Sequence, residues 1–275
     1  SFSIYFPRRS ATTAVLAHLG HSQSASASAS ASESTLAKEV ARAASFGQIK
    51  ASQPGETLTA DEAAMLNLFT RNGLHGPMNE ALRSHGRSAE SLGPYLAAIW
   101  LMLLAMQKCP PNLQGRTVYR GVKLLPASAS SSSSSSSVAA GLRLEDYVEG
   151  MVVTWGGFSS CSTSITTLNC SDFAGEDGEK VVFAVEQTTT RARDISAYSE
   201  YRNESEVLFP PNTRLRVIGV AKLGSCTQIQ LRELESEEPL LEFGAKLGDA
   251  AAAEGADEKI ICSGCKIKRQ FIKYK

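Results

Sequence analysis

Glu204 and Glu206 stand two residues apart in Tyr201-Arg202-Asn203-Glu204-Ser205-Glu206-Val207-Leu208-Phe209-Pro210-Pro211, where a charged segment gives way to an apolar run. If Glu206 opens a strand, the period of 2 directs both carboxylates toward one side. Like charges held that closely are poor for stability and well suited to stabilising positive charge that develops on a substrate. An isolated E-x-E is otherwise an ordinary solvated strand entrance, and two upstream segments shift the balance. Arg120 lies in Thr117-Val118-Tyr119-Arg120-Gly121-Val122, a β-branched and aromatic run in which it alternates with Val118 and Val122 and so shares their face. The second segment, Trp155-Gly156-Gly157-Phe158-Ser159-Ser160-Cys161-Ser162-Thr163-Ser164, follows the apolar Met151-Val152-Val153 and supplies a cluster of hydroxyls.

The elements that must position these groups come in a clear order. Thr59-Ala60-Asp61-Glu62 has capping-box spacing and predicts a helix to about Arg71. Further helices are expected over Pro77 to His85 and over Pro94 to Gln107, the latter apolar nearly all round. Strands follow near Thr117–Val122, Met151–Thr154, Phe158–Thr163, Lys180–Glu186, Glu206–Phe209, Arg214–Lys222 and Thr227–Glu233. Helices grouped ahead of strands predict an α+β fold rather than a parallel α/β sheet.

Arginine, then an aromatic followed by serines, then E-x-E, each on a predicted strand, resembles the arginine-serine-glutamate class of mono-ADP-ribosyltransferases. Arg193-Asp194-Ile195-Ser196-Ala197-Tyr198 before the glutamates and Leu208-Phe209-Pro210-Pro211-Asn212-Thr213-Arg214-Leu215-Arg216-Val217 after them extend the likeness, which runs from about Leu58 to about Leu234. The resemblance implies an N-terminal helical lobe beside two packed, mostly antiparallel sheets, with NAD+ held in the cleft between. It implies an enzyme that transfers ADP-ribose from NAD+ to arginine side chains of an acceptor protein and releases nicotinamide. An NAD+ glycohydrolase on the same scaffold and an inactive NAD- or partner-binding module are the alternatives.

In that chemistry the transition state resembles an oxocarbenium ion, and nicotinamide departs neutral without a general acid. The resemblance makes Glu206 the carboxylate facing the ribose and Glu204 the group that binds the acceptor guanidinium. Arg120 suits the diphosphate, because its planar fork bonds phosphate oxygens bidentately and keeps its charge. The literal Ser-Thr-Ser is Ser162-Thr163-Ser164, but the family pattern puts an aromatic two residues before its first serine. Phe158 then selects Ser160-Cys161-Ser162, with Ser160 orienting Glu206 and Ser162 supporting the strand. Arg120, Gly121, Phe158, Ser160 and Ser162 are thereby the expected NAD+-binding residues. Tyr201 matches the aromatic of the family's substrate-recognition loop, or is an ordinary loop tyrosine. NADP+ is the alternative co-substrate, and no metal is expected.

Composition restricts the partners. Among 275 residues, 28 basic and 28 acidic side chains cancel, which argues against a dedicated nucleic-acid binder. The strongest apolar run, Tyr95 to Met106, is shorter than the roughly 20 residues a bilayer needs, so no transmembrane span is expected. The opening segment makes a poor signal peptide. Compartment and oligomeric state stay open.

Low-complexity tracts suggest three regions. Residues 1–35, with the Ser-Ala alternation from Ser22 to Ser32, read as a flexible arm. Residues 36–245 form the catalytic domain, interrupted by the tract Ser128–Ser137. Lengthening a surface loop costs only about 0.6 kcal/mol per doubling, so this tract reads as a tolerated insertion. Residues 246–275 form a linker and basic tail. In that tail Cys262-Ser263-Gly264-Cys265 lacks the second pair a structural zinc would need. Gly175 to Gly178 reads as a turn, and His75 and His85 as helix-packing or surface residues.

Overall fold

A computed structural model describes residues 29–71, 73–84, 88–112, 117–124, 144–169, 179–224 and 226–235. The tract 128–137, the Gly175–Gly178 turn, His85 and the Cys262–Cys265 pair lie outside them.

Thr59 starts helix α2 (Ala60–Thr70) through a full capping box: its hydroxyl accepts from the Glu62 amide at 3.3 Å and Glu62 accepts the Thr59 amide at 2.7 Å. Glu62 is buried and accepts a further hydrogen bond from Lys108 Nζ at 2.8 Å, which ties the start of α2 to the end of the apolar helix α5 (Leu96–Lys108). Between them lie α3 (His75–Arg83) and the short α4 (Ala89–Leu92). Ahead of all four runs α1 (Ala29–Ala51), a helix the sequence reading passes over. It begins inside the Ser-Ala run because alanine costs least in a helix, and elongation is cheap once one stretch is packed. That stretch is Val40, Ala43 and Phe46, which join the core of the helical lobe. Gly47 permits the contact, since a Cβ there would collide with the Ala60 carbonyl oxygen.

The strands are β1 (Thr117–Leu124), β2 (Val152–Trp155), β3 (Ser159–Ser162), β4 (Glu179–Glu186), β5 (Arg193–Asp194), β6 (Glu206–Phe209), β7 (Thr213–Leu223) and β8 (Cys226–Glu233). They form an eight-stranded sheet in the order β2-β7-β8-β4-β1-β3-β6-β5, antiparallel except for the β4–β8 pair. The join between β1 and β3 is thin, a single pairing of Tyr119 with Ser162. There the sheet turns on itself. Val181, Phe183, Leu215, Ile229 and Leu231 from the long segment pack with Cys161, Val207 and Phe209 from the short one in one core. The two packed sheets expected from the sequence are thus two halves of a continuous sheet. A second core lies between the short half and the helices: Phe158, Ile195, Tyr198 and Leu208 join Met65, Leu66, Phe69, Met78 and Met102.

Candidate active site

Strand alternation decides what faces the helical lobe. On β3 and β6 the paired residues are Ser160 with Leu208, Cys161 with Val207, and Ser162 with Glu206. Leu208 belongs to the helix-side core and Val207, with Cys161, to the inter-sheet core. Partners across a ladder share a face, so Ser160, Ser162 and Glu206 look toward the helices. Cys161 looks away; burial pushes its thiol up to about 12, which leaves it an inert core residue.

Glu206 is 5% exposed. Ser160 Oγ donates to its Oε1 at 2.6 Å and Ser199 Oγ to its Oε2 at 2.8 Å. Burial raises the Glu206 pKa above the usual carboxylate value; both serine bonds and the nearby His75 and Arg120 pull the other way without cancelling it. A carboxylate kept here against burial, and held by two hydroxyls, is oriented for use.

Arg120 shares its strand face with the buried Val118 and Val122. Its guanidinium donates to the Ser160 carbonyl at 2.6 Å and lies over the Trp155 ring at 5.9 Å. Burial lowers the Arg83 pKa, and the neighbouring Arg120 charge lowers it further. The like charges of Arg120 on β1 and Arg83 on α3 act on each other, which favours an anion near them. Gly121 is half-buried opposite Val182.

Helix α3 also sets the start of β3. Asn79 accepts from the Phe158 amide at 2.9 Å and donates to the Phe158 carbonyl at 3.0 Å, all three groups buried. A Cβ on Gly157 would approach Asn79 Oδ1 to 2.7 Å, so glycine is what lets the amide dock. Asn79→Ala should destabilise the protein by about 2–3 kcal/mol in urea denaturation, because two buried backbone groups lose their partners.

Glu204 departs from the strand geometry expected of it. It ends a 3₁₀ turn, Arg202–Glu204, and Ser205 then takes a left-handed conformation with φ 46° before β6 begins at Glu206. The period of 2 therefore does not apply across the pair. Glu206 is buried, whereas Glu204 is half-buried at the tip of a loop, beside Tyr201 at 48% exposure. Ser162 Oγ donates to the Glu204 carbonyl at 2.5 Å, so Ser162 holds the loop, while the Ser164 hydroxyl bonds within its own turn, to Thr166.

The structure thus gathers Ser160, Ser162 and Glu206 on one face, with Phe158 buried beneath and Glu204 and Tyr201 at the rim, while Arg120 reaches the Ser160 carbonyl from the face it shares with Val118 and Val122. Ser199, Asn79 and Arg83 are absent from the sequence reading. Asn79 and Arg83 carry a signal that could have been used, since residues four apart share a helix face. Ser199 carries none until its loop folds back onto β6. His75 packs edge-on against Phe69 at 6.0 Å, and its Nδ1 donates to the Arg71 carbonyl at 3.1 Å. No group of three or more metal-ligating side chains occurs among the described residues. Nor is any helix among them long and apolar enough to cross a membrane.

Comparison with known proteins bears on the fold and the family. The solved eukaryotic mono-ADP-ribosyltransferase ART2.2 superposes with a TM-score of 0.53 at 17% identity, over 82% of this chain and 86% of that one. Exoenzyme S of Pseudomonas aeruginosa, solved with a human 14-3-3 protein and carba-NAD, gives 0.50 at 20% identity over 89% and 98%. At such identities the likeness shows the fold. A Serratia proteamaculans (strain 568) protein named NAD(+)–protein-arginine ADP-ribosyltransferase is 30% identical over 66% of this chain and 34% of its own length. A Mycobacterium avium (strain 104) protein named as an NAD(+)–arginine ADP-ribosyltransferase is 30% identical over 60% of this chain and 17% of its own. The chain therefore spans only about a sixth to a third of the length of these curated relatives. The sequence model of a family described as NAD:arginine ADP-ribosyltransferase matches residues 12–238, and the chain belongs to that family.

Proposed function

We propose that this chain transfers ADP-ribose from NAD+ to arginine side chains of acceptor proteins, releasing nicotinamide. The observation that carries the reading is Glu206, a buried carboxylate held by Ser160 and Ser199, with the Arg120 guanidinium on the carbonyl of that same Ser160. NAD+ supplies a cationic nicotinamide–ribose bond, which breaks to leave neutral nicotinamide. The fixed charge of Glu206 stabilises the positive charge developing on the ribose. Arg120, with Arg83 beside it, binds the diphosphate, and Gly121, Phe158, Ser160 and Ser162 shape the cleft. Glu204 at the rim binds the acceptor guanidinium and takes the proton it loses as its nitrogen bonds to the ribose carbon. Tyr201 offers an exposed ring face to the same cation.

Incubation with NAD+, with and without agmatine, tests the assignment. ADP-ribosylated agmatine is the expected product. Nicotinamide release that never yields a modified guanidine would make the protein a glycohydrolase, and no release at all would make it a binding module. The same assay with NADP+ decides the co-substrate.

Two further outcomes follow from the geometry. Ser160→Ala should lower NAD+ turnover far more than Ser164→Ala, since only Ser160 reaches Glu206; equal losses would return the working motif to Ser162-Thr163-Ser164. In the pH profile, Glu206 must be ionised to act, and its pKa is raised. Activity should therefore fall on the acid side with a midpoint above 4.5, the ordinary value. Ser199→Ala should move that midpoint upward, because the lost hydrogen bond favoured the charged form.

A further inference from the structure

The end of helix α2 meets the segment that leads into the rim loop. Asn67 Nδ2 donates to the Tyr198 carbonyl at 3.0 Å, and the Glu200 amide donates to Thr70 Oγ1 at 3.0 Å. Arg71 Nη2 donates to Glu200 Oε2 at 2.6 Å. Arg71 is itself fixed, with Nε on Asn67 Oδ1 at 2.8 Å and Nη1 on Glu39 Oε2 of α1 at 2.9 Å, and its side chain is only 10% exposed. The residue between these anchors faces the other way. Ser199 Oγ accepts the Tyr201 amide at 3.1 Å and donates to Glu206 at 2.8 Å. Along Tyr198–Tyr201, then, Tyr198 and Glu200 are held by one helical turn, and the intervening Ser199 is held against Glu206.

Beyond this clamped base the loop opens: Tyr201 is 48% exposed and Glu204 half-buried. The base fixes where the tip can stand, and displacement of a substrate-positioning group by about 1 Å can cost on the order of 10²-fold in rate. Glu206 has an independent hold, from Ser160 and from the β3–β6 ladder. Loosening the helix-side anchors therefore leaves the tip to the Ser162 bond at the Glu204 carbonyl and the Ser199 bond at the Tyr201 amide, without freeing the carboxylate.

We propose that the last turn of α2, through Asn67, Thr70 and Arg71, positions the arginine acceptor: it sets where Tyr201 and Glu204 stand relative to Glu206, and so governs transfer separately from NAD+ cleavage. The inference rests on the transferase reading above. It makes these residues positioning groups, with no contact to the reacting atoms.

The test uses the double variant Thr70→Val/Glu200→Ala. It removes both anchors on Glu200 but leaves Arg71 its bonds to Asn67 and Glu39, and the Glu200 side chain is 42% exposed, so the fold is spared. The KM for agmatine should rise about tenfold, with acceptor-free NAD+ hydrolysis within about twofold of the parent. Hydrogen exchange at the Glu200 and Tyr201 amides should accelerate. Thr70→Ser, which keeps the hydroxyl, should behave as the parent. An unchanged agmatine KM, or hydrolysis and transfer falling in equal proportion, would overturn the inference alone. A parent protein that hydrolyses NAD+ yet never modifies agmatine would overturn the transferase reading and the inference with it.

Discussion

Glu206→Gln should abolish both NAD+ hydrolysis and transfer to arginine while leaving the folded protein at least as stable as the parent at pH 7. Loss of one well-placed electrostatic stabiliser costs about 10²–10³ in rate, roughly 3–4 kcal/mol of barrier. The stability half follows from linkage. The folded-state pKa of Glu206 is raised by burial, so the fold favours its protonated form. That contribution is fully present below the unfolded pKa and is lost as pH rises through the folded one. At neutral pH the parent therefore carries a buried charge that the neutral amide does not. Glutamine preserves the hydrogen bonds too, because a serine hydroxyl can accept from an amide NH2 as readily as it donates to a carboxylate. Thermal melts at pH 7 and at pH 4 check this: the advantage of the variant should shrink at the lower pH, where the parent carboxyl is protonated. A variant clearly less stable than the parent at pH 7 would mean that the charged carboxylate holds the fold together rather than serving the reaction.

Glu204→Gln should separate the two activities. The charge at Glu206 stays in place, so nicotinamide release without an acceptor should persist, while ADP-ribosylation of agmatine should drop by about 10² or more as the acceptor loses its counter-charge and proton acceptor. The structure makes this division cleaner than a strand would. Two residues on one strand face would couple strongly, but the 3₁₀ turn and the left-handed Ser205 put Glu204 at an open rim and Glu206 in the interior. The experiment compares nicotinamide release with labelled-guanidine formation for parent and variant. A Glu204→Gln protein that modifies agmatine at the parent rate would remove the proposed division of labour.

Much of the fold was legible in the residues because local rules and tertiary structure agree. The Thr59–Glu62 capping box, the apolar run that became α5, the apolar runs of β4 and β6 and the alternating runs of β7 and β8 are each decided by hydrogen bonding or burial within a short window. Alternation likewise carried the face of Arg120 and the separation of Ser160 from Cys161. Helix α1 escaped notice because it begins within the Ser-Ala tract and carries few large apolar side chains, Val40 and Phe46 beside Ala43, so its stability comes from packing on the helical lobe. Strand β5 is only Arg193–Asp194, too short to show a period.

The chemistry-bearing residue types and their order, Arg120, Ser160, then Glu204 and Glu206, were determined by the sequence alone. What only the tertiary structure decided is how those residues are held. Asn79 fixes Phe158 across 79 positions of chain, Arg71 reaches Glu200 across 129, and Arg83 comes beside Arg120 from another element. Ser199 meets Glu206 only because the intervening loop turns back on itself. Such contacts depend on where separate elements cross, and that is set by the packing of the helical lobe against the short half of the sheet. No local pattern carries it, because a side chain that hydrogen-bonds a distant backbone group has the same neighbours in sequence as one that faces water.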